Sequence, residues 1–213
     1  MNVRIIDELV KRYPRLEDRH ESITALTEGI INTFANGGKL LVCGNGGSAA
    51  DADHIVGELM KGFERRRPVP DKFFTGEEPF TNQAEMEYMQ THLQRGLPAI
   101  NLSCHISFTS AFSNDAAPDL VFAQGVFGYG KADDALLCLS TSGNSKNTVY
   151  AAIMGKLKNL RVYALTGPAD SMLSELSRET VQAPGNSTAE IQEYHLPIYH
   201  AVCRCIEDYF FPD

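Results

Sequence analysis

Two groups of residues in the first third of the chain have types and spacing suited to chemistry. His54 and Glu58 stand four apart, so on a helix they lie about 40° apart around the axis and share one face. Such a pair can ligate a metal or exchange protons. As a bare i,i+4 contact it is also an ordinary surface pair. Just ahead of it, the apolar run Leu40–Cys43 ends in Gly44-Asn45-Gly46-Gly47-Ser48. Glycines there permit a tight turn and a close backbone approach to a ligand, and Ser48 is the expected cap of the helix that follows. Free N–H groups and the positive end of the helix dipole would then meet at one spot suited to a phosphate. The anion cradle and the His/Glu pair lie within about two and a half helical turns. That is the arrangement expected for chemistry on a phosphorylated metabolite.

A second turn repeats this logic with hydroxyls. Leu137-Cys-Leu-Ser-Thr-Ser-Gly-Asn-Ser145 sets Ser140, Thr141, Ser142 and Ser145 around Gly143. Hydroxyl and backbone N–H groups bind phosphate without a net positive charge, although Ser/Thr clusters also serve plain turn chemistry. Near the C-terminus, Gln192, Glu193, His195, Tyr199 and His200 are candidate functional groups on one long helix. Spacing does not choose among them. Glu193 and His200 are about 20° apart around a helix axis and Gln192 and His200 about 80°, which mildly favours the first pair. Pro197 crowds the carbonyl of Glu193, so a kink is expected just before His200.

These groups need elements to hold them. Helical patterns over 2–13 and 19–36 are separated at Tyr13-Pro14, and the second carries Ile23, Leu26, Ile30, Ile31 and Phe34 at helical spacing. Beyond them strands and helices alternate. Strands are expected at 39–44, 98–104, 135–140, 161–166 and 179–183, and helices near 48–63, 107–112, 117–127, 145–158, 171–176 and 187–209. This alternation predicts an α/β fold, a parallel sheet covered by helices on both faces, with ligands bound beyond the carboxyl ends of the strands. Residues 66–95 interrupt the pattern and read as a loop followed by a short helix.

With 213 residues, 43% of them hydrophobic, the chain is expected to form one domain, residues 1–213. Its net charge of −8 and lack of a basic stripe argue against nucleic acid. The triplet Arg65-Arg66-Arg67 reads as a solvated helix end. No apolar run reaches membrane-spanning length and the N-terminus lacks a secretory pattern, so a cytoplasmic protein is expected. Five cysteines without metal-finger spacing read as structural thiols.

Together these segments resemble the sugar isomerase (SIS) fold, and within it the phosphoheptose isomerase family. The carrying motifs are Cys43-Gly-Asn-Gly-Gly-Ser-Ala-Ala-Asp-Ala-Asp-His-Ile-Val-Gly-Glu58, Phe112-Ser-Asn-Asp115, Leu139-Ser-Thr-Ser-Gly-Asn-Ser145, Leu165-Thr-Gly167 and Thr188-Ala-Glu-Ile-Gln-Glu-Tyr-His195, in order over most of the chain. The resemblance implies a flavodoxin-like, three-layer α-β-α sandwich with a five-stranded parallel sheet, preceded by an N-terminal helical segment, 1–36. By the same resemblance His54, Glu58, Gln192 and His200 match positions that bind one zinc ion per subunit, and Glu58 and His200 the acid/base pair. It thus selects Gln192 over Glu193. Asn45, Gly46, Gly47, Asn114, Asp115, Ser140, Thr141, Ser142 and Ser145 match substrate-binding positions, with Ser48 and Asp51 as further candidates. The implied reaction is isomerisation of sedoheptulose 7-phosphate to D-glycero-D-manno-heptose 7-phosphate by a homotetramer, serving nucleotide-heptose and lipopolysaccharide synthesis. Two features depart from the family pattern: the insertion at 66–95 and Pro197. The competing expectations are a non-catalytic SIS regulator, of the kind that partners the replication initiator, and an isomerase of another sugar phosphate.

Overall fold

The computed structural model describes residues 1–74 and 82–212. Five parallel strands, β1 (Leu40–Gly44), β2 (Ala99–Asn101), β3 (Ala135–Ser140), β4 (Arg161–Thr166) and β5 (Glu179–Gln182), pair in the order β2-β1-β3-β4-β5. The expected α/β fold is therefore present. Every residue of β1 and β3 is buried, as parallel strands covered on both faces require. Their side chains divide with period two. Leu40, Val42, Leu137 and Leu139 enter one apolar layer, and Leu41, Cys43, Leu136 and Cys138 the other.

The first layer is roofed by α1 (Arg4–Arg12), α2 (His20–Ala35), α3 (Gly47–Met60) and α9 (Thr188–Phe210). The second is covered by α6 (Val121–Tyr129), α7 (Lys146–Leu157) and α8 (Met172–Leu176). Helices α4 (Gln83–His92) and α5 (Ile106–Asp115) lie on the connections before and after β2. In α1, Ile5, Ile6 and Leu9 face inward. Asp7 in its first turn and Lys11 and Arg12 in its last complement the helix dipole, and Pro14 begins a separate 3-10 turn. The stripe Ile23, Leu26, Ile30, Ile31 and Phe34 on α2 is consumed inside the chain's own core.

Within 66–95 the described residues form a 3-10 turn (Asp71–Phe73) and α4, as the loop-then-helix reading expected. Residues 75–81 of that segment lie outside the described residues. The excursion leaves and returns at one point: Pro68 and Gln94 form an antiparallel bridge, and Gln94 Oε1 accepts from Gly62 N at 2.7 Å. The frame of the sheet is thereby undisturbed. The arginine triplet is not the solvated helix end expected. Arg66 is exposed, but Arg67 is entirely buried. Cys43, Cys138, Cys203 and Cys205 are buried, whereas Cys104 is exposed beside Asp53. Among the described residues no helix is long and apolar enough to cross a membrane.

Candidate active site

The order β2-β1-β3 places a topological switch between β1 and β3, where the chain leaves adjacent strands in opposite directions and opens a crevice at their carboxyl ends. Both turns singled out from the sequence lie there. After β1, a Cβ on Gly44 would stand 2.6 Å from the Ser48 carbonyl, and Gly46 holds φ +55°. Gly46, not Ser48, is the N-cap of α3. Ser48 sits within the first turn, buried, and its side chain caps nothing. The reason is local: the left-handed backbone at Gly46 starts the helix early, and Ser48 N is satisfied by the Asn45 carbonyl at 3.0 Å.

After β3, Ser140 Oγ lies 3.2 Å from Ser145 Oγ and 3.5 Å from Ser142 Oγ. Asn144 N donates to Ser142 Oγ, and Gly167 N to the Thr141 carbonyl. Gly143 takes φ +65°, and the Ser171 hydroxyl fills the place a Cβ would need, so both its backbone and its surroundings favour glycine. The two turns are tied to each other. Asn45 and Asn147 exchange a reciprocal pair of amide hydrogen bonds, both 2.8 Å. Asn147 escaped the sequence reading, since nothing local marks it as the partner of a residue 102 positions away.

Helices α3 and α9 pack side by side in the same direction, and their facing residues carry the ionisable groups. His54 Nε2 is 3.1 Å from Glu58 Oε1, and Lys61 Nζ is 3.1 Å from Glu58 Oε2. The His200 ring stands 5.0 Å from that of His54, edge to face, and its buried Nε2 has no hydrogen-bond partner among the described residues. Burial, with His54 beside it, holds the His200 imidazole below its usual range, although Glu58 and Glu64 act the other way. Tyr199 places its hydroxyl 3.0 Å from His54 Nδ1 and 3.3 Å from Asp51 Oδ1. Burial, with the Asp51 carboxylate next to it, pushes the phenol up, so it remains protonated.

The structure separates the pair that spacing left open. Gln192 turns toward α3 and lays its amide over Gly47, where a Cβ would meet Nε2 at 2.5 Å. Glu193 turns the other way, into a cavity of about 420 Å³ shared with Arg12, Tyr13, Pro197 and the far side of His200. Helix α9 runs unbroken through Pro197 for 23 residues. Gln192 therefore lies about 12 Å before His200 along one helix, beside the first glycine turn rather than beside the histidines. His195 is buried, hydrogen-bonded to the Thr166 carbonyl at 3.2 Å, and desolvation pulls it down to about 4. It is a neutral strut between α9 and the end of β4.

Residues 6–99 match the family model described as SIS domain. The chain is 36% identical over 186 residues to the phosphoheptose isomerase of Alteromonas mediterranea, covering 86% of this chain and 80% of that protein. It is 33% identical to that of Roseiflexus sp., over 98% and 94% of the two. The solved phosphoheptose isomerase of Neisseria gonorrhoeae superposes with a TM-score of 0.71 at 31% identity, over 97% of this chain and 92% of that one. The chain belongs to the phosphoheptose isomerase family. It is, by that membership, a sugar-phosphate isomerase.

In this isomerase, three of the four candidate metal ligands, His54, Glu58 and His200, gather on the α3/α9 face, and Gln192 stands at the glycine turn. Among the described residues no three His, Cys, Asp or Glu side chains form a ready metal cage. The donor chemistry of the three that gather nevertheless fits a borderline cation: two imidazoles and a carboxylate, with one imidazole nitrogen buried and unpartnered among the described residues. Asn114 and Asp115 are exposed at the end of α5 and bond to each other at 2.8 Å. Among the described residues no hydrogen bond joins them to either turn.

Two supporting residues were missed. Glu207 on α9 accepts from the N–H groups of Phe63, Glu64 and Arg65 and from Arg67 Nε at 2.8 Å. Arg67 in turn donates to the carbonyls of Leu59 and Glu58, satisfying the open end of α3. Burial alone would raise the Glu207 carboxyl, but those N–H groups and the Arg67 guanidinium outweigh it and hold it below the usual carboxylate range. The helix end that carries Glu58 is thus fixed by a buried ion pair whose members are 140 positions apart.

Proposed function

We propose that this isomerase interconverts sedoheptulose 7-phosphate and D-glycero-D-manno-heptose 7-phosphate through a cis-enediol. One observation carries the reading: hydroxyl- and glycine-lined turns on adjacent strands lie at the start of α3, about two to three helical turns before His54 and Glu58, which cluster with His200. A phosphorylated sugar can be anchored at one end and reacted at the other. The N–H and hydroxyl groups of Gly46, Gly47, Ser140, Thr141, Ser142 and Ser145 receive the phosphate, fixing the register of the sugar. Asn45 and Gln192 line the path from that anchor toward the reacting carbons.

Glu58 takes a proton from C1, next to the C2 carbonyl, while His200 delivers a proton to the carbonyl oxygen, and the enediol results. His200 then accepts the proton of the C1 hydroxyl as Glu58, its proton in part exchanged with solvent, protonates C2, which leaves the aldehyde at C1 and a hydroxyl at C2. A zinc ion, one per subunit, would be held by His54, Glu58 and His200, with Gln192 assigned to that set by the resemblance. When bound, it would act as a Lewis acid that stabilises negative charge developing on the substrate oxygens. By the same resemblance the working form is a homotetramer, and the N-terminal sequence pattern supports a cytoplasmic location.

The reading is tested by incubating zinc-loaded and chelator-stripped protein with a panel of ketose phosphates and following products by NMR. Conversion of the seven-carbon ketose, lost on stripping and restored by zinc, is the expected result. Turnover of a six-carbon phosphate in preference to the heptulose would replace the substrate assignment, and turnover indifferent to stripping would remove the metal.

A further inference from the structure

Tyr199 is buried between two residues of α3, and its single hydroxyl serves both. Asp51 Oδ1 is 3.3 Å from the phenol oxygen and His54 Nδ1 is 3.0 Å from it. Asp51 Oδ2 is buried without a partner among the described residues. An ionised carboxylate only accepts and a phenol carries one proton, so while Asp51 is ionised that proton goes from Tyr199 to Asp51. The phenol oxygen is then free to accept from the other side, and the group there is His54 Nδ1. With Asp51 ionised the chain runs in one direction: His54 Nδ1–H donates to Tyr199, and Tyr199 donates to Asp51.

We infer that Asp51 and Tyr199 are positioning residues that hold His54 as its Nδ1–H tautomer, turning the lone pair of Nε2 toward Glu58. Asp51 is thereby moved from the substrate-binding set to a role exerted through His54. With the proton on Nδ1 of a neutral ring, Nε2 and Glu58 Oε1 are two acceptors 3.1 Å apart, a contact that becomes favourable when a second proton or a metal cation is shared between them. The relay therefore builds a demand for positive charge, which a metal can meet, into the helix face. An imidazole whose second nitrogen donates to a fixed acceptor is also a more basic and better oriented ligand. The tautomer stands on hydrogen-bond geometry alone, whereas its consequence for metal binding rests on the metal assignment made above.

Two measurements keep these apart. In zinc-free protein at a pH where imidazoles are neutral, long-range ¹H–¹⁵N correlation spectra report which nitrogen of His54 carries the proton. The expected result is Nδ1–H in the native chain and Nε2–H in Tyr199→Phe, which keeps the ring packing and removes only the hydroxyl. Asp51→Asn, whose amide oxygen can still accept from the phenol, retains the Nδ1–H form, and Asp51→Leu loses it. An Nε2–H ring in the native chain, or the same tautomer in the native chain and Tyr199→Phe, would overturn the relay. Zinc affinity by chelator competition is expected to fall about 10- to 100-fold in Tyr199→Phe and to stay near native in Asp51→Asn. Native affinity in Tyr199→Phe would sever the relay from the metal. If the native chain binds no zinc while the spectra show Nδ1–H, the metal assignment fails and the positioning role stands.

Discussion

The two ends of the site are built differently. At the carboxyl end of the sheet, the ligand groups come from two short turns, each continuous in sequence and shaped by its own glycines: Gly46 at φ +55° and Gly143 at φ +65°. On the α3/α9 face the groups come from helices separated by some 140 residues, and contacts of that reach set their geometry: Tyr199 to His54, and Glu207 and Arg67 to the end of α3. The anchor end is local and the reacting end is tertiary. Substitutions at the first should change how the sugar is held, whereas substitutions at the second should change turnover or the integrity of the fold.

The largest effect is expected at the reacting end. Glu58→Gln removes the base that works on carbon, and kcat should fall about 10²- to 10⁴-fold with an unchanged melting curve. Loss confined to KM would place Glu58 outside the proton transfers. Next comes the buried support. Glu207→Gln leaves Arg67 without its counter-charge and should cost about 3–5 kcal/mol of stability in denaturant titrations. The sign with pH follows from the depressed carboxyl. Its contribution is present above the ordinary glutamate value and is lost as pH falls through the lower folded value. The native chain should therefore lose stability on acidification below about pH 4.3, and Glu207→Gln should lack that part of the decline.

At the anchor end, Gly143→Ala must place a methyl where the Ser171 hydroxyl sits, in a backbone region that disfavours side chains. A cost of about 1–3 kcal/mol is expected, with KM raised more than kcat is lowered. The smallest effect is assigned to Asn147→Ala. It releases Asn45 from its amide pair and should raise KM by about tenfold, one hydrogen bond's worth, with kcat nearly native. A kcat effect larger than the KM effect in Asn147→Ala would erase the distinction between the two ends.

The same distinction explains what could be read before the fold was known. Strands β3 and β4 end where the apolar runs end, at Ser140 and Thr166, because a fully buried strand writes itself as a continuous apolar segment. Both turns were visible for the same reason: their glycines and hydroxyls are contiguous. The errors fall where a neighbour far along the chain decides. Ser48 looked like a cap, yet Gly46 starts the helix. Arg67 looked solvated, yet it is buried against Glu207. Helical spacing favoured Glu193 over Gln192, because angle around one axis does not say which side faces α3 and which faces α1. The stripe on α2 was legible as apolar, but only the packed chain shows that its own core uses it.

The central claim is that carbon-bound protons move through Glu58 and an enediol while the turns hold the phosphate. It is tested most directly by running the heptulose phosphate reaction in D₂O and reading deuterium at C1 and C2 by NMR. Deuterium on carbon with the native chain, absent with Glu58→Gln although the phosphate ester still binds, is the predicted result. Exchange into carbon undiminished in Glu58→Gln would contradict it.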